Sequence, residues 1–266
     1  MELYRIMEKY QDCRYCGGTT LDHCGNAAFV KCQNCGLVAR NPFPSPEDLD
    51  RLYKTSWNEP DVNLAETGSV DEMLAVQYVQ ALEKSIGRSV KDLRLLDYGA
   101  GKGALMKALV AAGADTYGIE PYGYEQLVEQ SLNCFKKLSD LPKDLSFDGI
   151  ITMDVVEHLR RPWEVFSDLL PKLEAGGWLC VATPNPSGLN ARLNKGRWRE
   201  MSKPGHILFM DERTLEKMLR EAGYVSIRSL NWKVEQHLGL VQKVSHKIMR
   251  FTGLFGASRI IAYKPK

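Results

Sequence analysis

The rhythm of apolar positions changes along the chain, and those changes mark out its elements. Residues 46–53 and 70–86 place apolar groups at helical spacing, the second stretch through Met73, Val76, Tyr78, Val79 and Leu82. From Leu93 onward, short apolar runs alternate with helical stretches. Strands are expected at 93–97, 116–120, 147–153, 178–183, 224–231 and 259–263, with a weaker one at 134–138. Helices are expected at 103–112, 122–132, 163–173 and 212–222, the first closed by Gly113. Such alternation builds a mainly parallel sheet with helices on both faces. Between the first helix and what precedes it, the proline-rich run from Asn41 to Pro46 reads as a linker, since proline continues neither a helix nor a central strand.

Five of the seven cysteines lie before this alternation begins, and four of them form two pairs. Cys13-x2-Cys16 and Cys32-x2-Cys35 are separated by fifteen residues. This spacing is that of a structural zinc ribbon, in which two tight turns offer four thiolates to one ion. Gly17 and Gly36 follow the second cysteine of each pair, where the turn needs an unhindered backbone. Four thiolates close the tetrahedron and leave no position for catalysis. His23 and Cys24 read as loop residues, and Cys134 and Cys180 as small buried residues on strands. Between Cys13 and Cys35 the only basic residues besides His23 are Arg14 and Lys31, with Asp12 and Asp22 close by. That is a poor footprint for nucleic acid, so packing or a wall of the substrate site is the favoured role.

The bulk composition changes this picture little. The 266 residues carry a net charge of +2 and an ordinary apolar content. No apolar run is long enough to span a bilayer, and residues 1–11 lack a signal-peptide core, so a cytoplasmic, thiol-reducing setting is expected.

The sharper chemistry lies in Asp97-Tyr-Gly99-Ala-Gly101-Lys-Gly103, between a strand and a helix. Its glycines allow a sharp turn and close approach to a ligand. Glu120 ends the next strand, where a carboxylate accepts from the two ribose hydroxyls of an adenosine. Gly99-x-Gly101-x-x-Ala104 also fits a dinucleotide fingerprint. Asp97 discriminates: a carboxylate beside the loop repels a pyrophosphate and suits the cationic amino-acid tail of S-adenosylmethionine (SAM).

Leu95 to Gly103 resembles motif I of the class I SAM-dependent methyltransferases. Phe147 to Leu159 resembles their fourth strand and following loop, and Leu173 to Leu179 the turn into their fifth. The likeness covers roughly residues 70 to 266 and is strongest to the ubiquinone-type, methyltransferase 23-like branch; the first half also resembles zinc-containing sugar C-methyltransferases. The resemblance implies a Rossmann-like, doubly wound seven-stranded α/β sheet with a small N-terminal zinc ribbon. It divides the chain into the ribbon at 1–40, a linker and cofactor-site cover at 41–69, and a SAM-binding methyltransferase domain at 70–266. It implies that Asp97, Gly99 and Gly101 hold the methionyl part, Glu120 the ribose, Asp140 the adenine, and that Met153 and Asp154 lie near the sulfonium. Tyr53 and Tyr98 could flank the cofactor, with core packing the favoured account of each.

Two histidines follow strands at the edge where ligands bind, His158 after the fourth and His206 after the fifth. Each suits a general base for an acceptor hydroxyl. Asp154, Glu157 and His158 form a second, metal-binding alternative, ranked below the metal-free one, since a similar cluster is linked to divalent metal in ubiquinone-pathway relatives. The segment 185–210 reads as a long substrate loop, with Arg192, Lys195, Arg197, Trp198, Arg199 and Lys203 suited to a phosphate or carboxylate. The expected activity is methylation of oxygen or carbon on a small polar, sugar-like metabolite. RNA or protein methylation with the ribbon as docking module is one alternative, and a non-enzymatic zinc-ribbon binding protein another. Nucleic acid is disfavoured, because the fourth strand lacks an Asn-Pro-Pro-Tyr type ending and no Pro-Cys nucleophile follows. Finally, 238–256 carries Leu240, Val241, Val244, Ile248, Phe251 and Phe255 at helical spacing, with only basic charges between them. An inserted amphipathic helix is expected there. It would pack within the protein or a homodimer, with peripheral membrane contact as the alternative.

Overall fold

The computed structural model describes residues 7–8, 11–24, 26–58, 72–232 and 256–266. The helix expected at 238–256 lies, Gly256 apart, outside the described residues. No described helix is long and apolar enough to cross a membrane.

The chain opens with β1 (Met7–Glu8), β2 (Leu21–His23), β3 (Phe29–Cys32), β4 (Val38–Arg40) and β5 (Phe43–Pro44). The run read as a linker therefore contains a short strand: β5 pairs antiparallel with β1, and pairing of two residues at an edge tolerates a proline. Next come α1 (Pro46–Asn58) and α2 (Glu72–Ile86). Pro46 stands in the first turn of α1, where its missing N–H costs nothing, and the Ser45 hydroxyl accepts from Asp48 N–H at 3.1 Å.

The alternating region follows with β6 (Arg94–Tyr98), α3 (Ala104–Ala111), β7 (Asp115–Ile119), α4 (Tyr124–Glu129), β8 (Asn133–Phe135), β9 (Phe147–Met153), α5 (Pro162–Leu169) and β10 (Leu173–Pro184). Beyond it lie α6 (Leu189–Asn194), α7 (Arg199–Ser202), β11 (Leu208–Phe209), α8 (Glu212–Glu221), β12 (Val225–Ser229) and β13 (Ala257–Tyr263). Seven strands form one sheet in the order β12-β13-β10-β9-β6-β7-β8. The run from β10 to β8 is parallel, and β13 lies antiparallel between β10 and β12. Chain order reverses between β6 and β9, so the crevice for a ligand opens above their carboxyl ends.

Apolar clusters cover both faces. One packs Val79, Leu82, Leu105 and Leu109 of α2 and α3 against the sheet. The other packs Phe166, Leu169, Leu215 and Leu219 of α5 and α8, and continues into Cys13, Cys32 and Leu37 of the ribbon. Cys134 and Cys180 are buried on strands, as read from the sequence.

The segment 185–210 is not an open loop. It folds as α6, a 3-10 turn, α7 and β11, and β11 pairs antiparallel with β4 through Leu208↔Ala39 and Phe209↔Val38. A four-stranded sheet, β11-β4-β3-β2, thus joins the ribbon to the segment before α8. Around it, Phe29, Val38, Trp198, Met201 and Phe209 are buried as a separate small core. The Thr214 hydroxyl, on α8, lies 2.9 Å from Cys35 O and donates to it.

Gly149 of β9 lies under the indole of Trp178, its neighbour on β10, and a Cβ there would come within 2.2 Å of the ring. Neither central strand can shift without breaking the ladder. Gly149→Ala is therefore expected to destabilise the fold by about 1–3 kcal/mol through overpacking. Urea denaturation checks this, and an unchanged midpoint would refute it.

Candidate functional site

Asp97 is 3% exposed at the carboxyl end of β6. Glu120 follows β7 and is 7% exposed. Burial, and secondarily the negative charge of Glu120, raises the Asp97 carboxyl to about 7. Burial also raises Glu120, against the opposing pull of N–H donors from Tyr122, Gly101 and Gly123. The Glu120 oxygens accept from Gly101 N–H at 2.9 Å and Tyr122 N–H at 3.1 Å. These bonds fix the carboxylate and tie the glycine loop to the end of β7. Among the described residues neither acid has an ion-pair partner. A buried pair of acids without a cation is costly unless a ligand supplies one. Such a site selects a positively charged ligand and disfavours a pyrophosphate.

The loop's backbone fits that reading. Gly99 has φ +86°, and a Cβ there would meet Val155 Cγ2 at 2.3 Å. The loop after β6 and the loop after β9 therefore touch across the crevice, and only glycine permits the contact. Gly101 also has positive φ, +53°, with open space around its Cα, so a ligand can approach it closely.

The remaining cofactor-site expectations fall at different distances from this centre. Met153 is the last, half-buried residue of β9. Asp154 follows with φ 52° and is exposed. Desolvation by the surrounding protein raises its carboxyl, although Arg259 and Lys203 pull it down. Asp140 is exposed in a 3-10 turn after β8, where its carboxylate accepts from Lys137 N–H at 3.1 Å. Beside the acids lies a tyrosine the sequence reading assigned to packing. Tyr53 of α1 stands 5.4 Å from Tyr122, centroid to centroid, and its hydroxyl donates to Gly205 O at 3.0 Å.

The two histidines come together although 48 positions separate them in the chain. Their rings meet edge to face at 4.6 Å. His158 Nδ1 lies 2.9 Å from Gly205 O and 3.0 Å from the Tyr53 hydroxyl. A carbonyl partner fixes the proton on Nδ1 and leaves Nε2 as an acceptor. Burial lowers the His158 imidazole to about 4, so it is neutral at pH 7. His206 is 2% exposed, and burial lowers it further, with repulsion from His158, Lys203 and Arg40. Glu157 is fully buried, and its Oε2 accepts from the Thr183 hydroxyl at 2.9 Å. Burial, reinforced by Asp154, raises its carboxyl well above the usual range.

One ligand atom each from Glu157, His158 and His206 lie within 4.8 Å of one another, while Asp154 is outside that group. Glu157 Oε1 has no hydrogen-bond partner, and His206 Nδ1 sits 3.4 Å from Glu200 Oε2 without bonding to it. Sequence reasoning missed what holds this cluster. Arg40 of β4 donates from Nη2 to the carbonyls of Met201, Lys203 and His206 at 3.3–3.5 Å, and its N–H to Ile207 O at 2.8 Å. The signal was faint, a lone arginine just past the last cysteine pair.

The ribbon cysteines also converge. Cys13 Sγ and Cys35 Sγ are 3.5 Å apart, and Cys16 Sγ and Cys32 Sγ 3.6 Å. A tetrahedral zinc with Zn–S near 2.3 Å spaces its sulfurs by roughly 3.8 Å, so the four fit one ion. Gly17 N–H donates to Cys13 O at 2.8 Å and Gly36 N–H to Cys32 O at 2.9 Å, giving two equivalent turns. Asn34 Nδ2 donates to Cys16 Sγ at 3.3 Å, a bond that favours thiolate.

Comparison with known proteins follows the same division of the chain. A family model described as a methyltransferase domain matches residues 70–229. An uncharacterized methyltransferase of Mycolicibacterium vanbaalenii is 31% identical over 140 residues, 47% of this chain and 55% of its own. A ubiquinone biosynthesis O-methyltransferase of Parvibaculum lavamentivorans is 31% identical over 108 residues, 37% of this chain and 43% of its own. The chain spans about half the length of the curated relatives it matches. A solved SAM-dependent methyltransferase from Archaeoglobus fulgidus superposes with a TM-score of 0.53 at 21% identity, over 81% of this chain and 99% of that one. This last likeness is one of fold.

Two expectations follow from the geometry. Freshly purified protein should hold one zinc per chain, and Cys13→Ser should lose it. The β4–β11 pairing ties the ribbon to the His206 segment, so chelation should also expose amides 199–210 to hydrogen exchange. Full metal content in Cys13→Ser, or unchanged exchange at 199–210, would refute the respective point.

The second concerns Asp97. Folding raises its pKa above the usual 3.8. Its contribution to stability is then fully present below that value and is lost as pH rises through about 7. Asp97→Asn, neutral and equal in shape, should raise the melting temperature of the ligand-free protein at pH 8 and leave it nearly unchanged at pH 3. An equal effect at both values would show that the buried charge is not the cause.

Proposed function

Since the chain belongs to the methyltransferase-domain family, we propose that it transfers a methyl group from SAM to oxygen or carbon of a small, polar, sugar-like acceptor. The observation that carries the SAM assignment is the buried Asp97–Glu120 pair beside a glycine loop, without a cation of its own. Asp97 takes the ammonium of the methionyl tail, and Glu120 accepts from the ribose hydroxyls with the oxygen lone pairs its two backbone bonds leave free. Gly99 and Gly101 let the loop backbone close on that tail. Met153 and Asp154 border the reacting end, and Asp140 the adenine end.

Bound SAM supplies an electrophilic methyl on a sulfonium whose departure needs no proton. The protein's share of the work is alignment and, for a hydroxyl acceptor, removal of one proton. His158 does this through Nε2. It is neutral at working pH because burial disfavours its charged form, and Gly205 O fixes its orientation. His206 lies behind it, too buried to meet an acceptor directly, and acts by positioning His158. The ribbon, held by zinc on Cys13, Cys16, Cys32 and Cys35, keeps this pair in place through Arg40. The metal-free reading of Glu157 and the histidines is preferred, because burial disfavours the charged form of Glu157 and His158 Nδ1 is committed to a carbonyl.

S-adenosylhomocysteine should bind and NAD should not, as calorimetry will show. Asp97→Ala and Glu120→Ala should each weaken that binding by on the order of 1.5–3 kcal/mol, about tenfold or more. NAD binding in the absence of S-adenosylhomocysteine binding would overturn the assignment.

A further inference from the structure

A second cavity lies between the ribbon and the segment after β10. It holds about 240 Å³, the volume of roughly eight water molecules in the liquid. The ribbon contributes Lys31 and Val38, and the 186–201 segment contributes Pro186, Lys195 and Trp198. Among the described residues no carboxylate lines it. Neither lysine has an ion-pair partner among the described residues. Two acids stand close by and are bonded to other groups: Asp22, opposite Lys31 across the β2–β3 ladder, accepts from Gln33 Nε2 at 2.8 Å. Asp211 caps α8 through Thr214 N–H at 2.9 Å, and its other oxygen accepts from the Ser187 hydroxyl at the cavity wall at 3.1 Å.

Three features distinguish this cavity from a chance gap between solvated side chains. Lys195 has φ 46° and ψ −123°, a backbone state that lysine rarely adopts and that the turn after α6 imposes. Trp198 is 3% exposed and packs tilted against Phe209, ring centroids 4.9 Å apart, so it forms a fixed wall. Pro186 and Ser187 follow directly on β10, whose carboxyl end borders the crevice, so the cavity lies next to the acceptor side.

We propose that this cavity is a phosphate-binding subsite for a phosphorylated, sugar-like acceptor, with Lys31 and Lys195 on the phosphate and Trp198 against the ring. The proposal rests on the reading that the chain methylates a small acceptor. Two lysines act as point charges on a phosphate, and an aromatic wall offers an apolar face to the C–H side of a sugar. The ribbon then has a recognition role besides its structural one, because Lys31 stands one residue before the ligand Cys32. Sequence reasoning placed the anion clamp wholly in 185–210 and did not include Lys31.

The test is calorimetric titration of the full zinc-loaded chain with a hexose phosphate, the free hexose and a hexuronate. Saturable binding of the hexose phosphate is expected, with no binding of the free hexose. A Lys31→Ala, Lys195→Ala double variant should bind it roughly tenfold to a hundredfold more weakly. Its S-adenosylhomocysteine affinity should be unchanged, and Lys107→Ala, at an exposed position of α3 outside the cavity, should bind like wild type. Preference for the hexuronate would overturn the phosphate assignment. An affinity that falls equally in Lys107→Ala would reduce the effect to general charge, and full binding by the double variant would remove the site. If hexose phosphate binds while S-adenosylhomocysteine does not, the proposed activity fails and the subsite stands.

Discussion

The ladder between β4 and β11 is the constraint on which most of this molecule turns. It is only two residue pairs long, Leu208↔Ala39 and Phe209↔Val38, and two strand residues alone would not hold. It persists because both sides are braced. Four sulfurs fix the ribbon side, and buried Phe29, Trp198, Met201 and Phe209 fill the space around the ladder. Through it the ribbon is joined to the segment that carries His206. The same pairing brings Arg40 within reach of the His206 carbonyl and leaves Lys31 and Lys195 on one cavity. A ribbon packed only through side chains could drift by an ångström without loss; one hydrogen-bonded into the substrate segment cannot.

The second constraint is electrostatic and lies at the other end of the crevice. Asp97 and Glu120 sit in an environment that raises both carboxyl groups. This arrangement destabilises the empty protein and is worthwhile only if a cation arrives. It separates two ligands that share a glycine-loop fingerprint. A dinucleotide would bring more negative charge to buried acids, whereas a methionyl ammonium neutralises one of them. The discrimination depends on the charge of the site rather than on the shape of the loop.

The legible and illegible parts of the sequence divide along physical lines. The strand at 147–153 was readable to the residue because five of its seven positions are buried and Phe147, Ile150, Ile151 and Met153 carry the apolar signal. The cysteine spacing was readable because zinc geometry leaves little freedom. Helix α1 ran further than its reading, to Asn58, and the strand expected at 134–138 shrank to Asn133–Phe135. There the chain turns into a 3-10 turn that Asp140 closes with its own carboxylate, a local choice no periodicity records. Segment 185–210 was read as a loop because α6 and α7 are six and four residues long, too short to show a period. Its order comes from β4, about 170 residues earlier, and a single sequence carries no mark of such a pairing. Tyr53 was invisible for the same reason, since its partner His158 is 105 positions away.

The histidine pair shows how these constraints combine. An imidazole left in water titrates near neutrality, and its usefulness as a base would fade on mild acidification. Two imidazoles packed edge to face in a dry pocket, beside Lys203 and Arg40, cannot accept a proton cheaply, so both stay neutral. Neutrality alone would not make His158 a base, because a freely rotating ring presents either nitrogen. Gly205 O and Tyr53 together remove that freedom, and they arrive from the substrate segment and from α1. His206 fills the volume behind the ring that water would otherwise enter, and Arg40 holds its backbone from the ribbon side. The orientation of the His158 ring is thus set by three separate parts of the chain, and the ribbon bears on it through Arg40 and the backbone carbonyls that Arg40 holds.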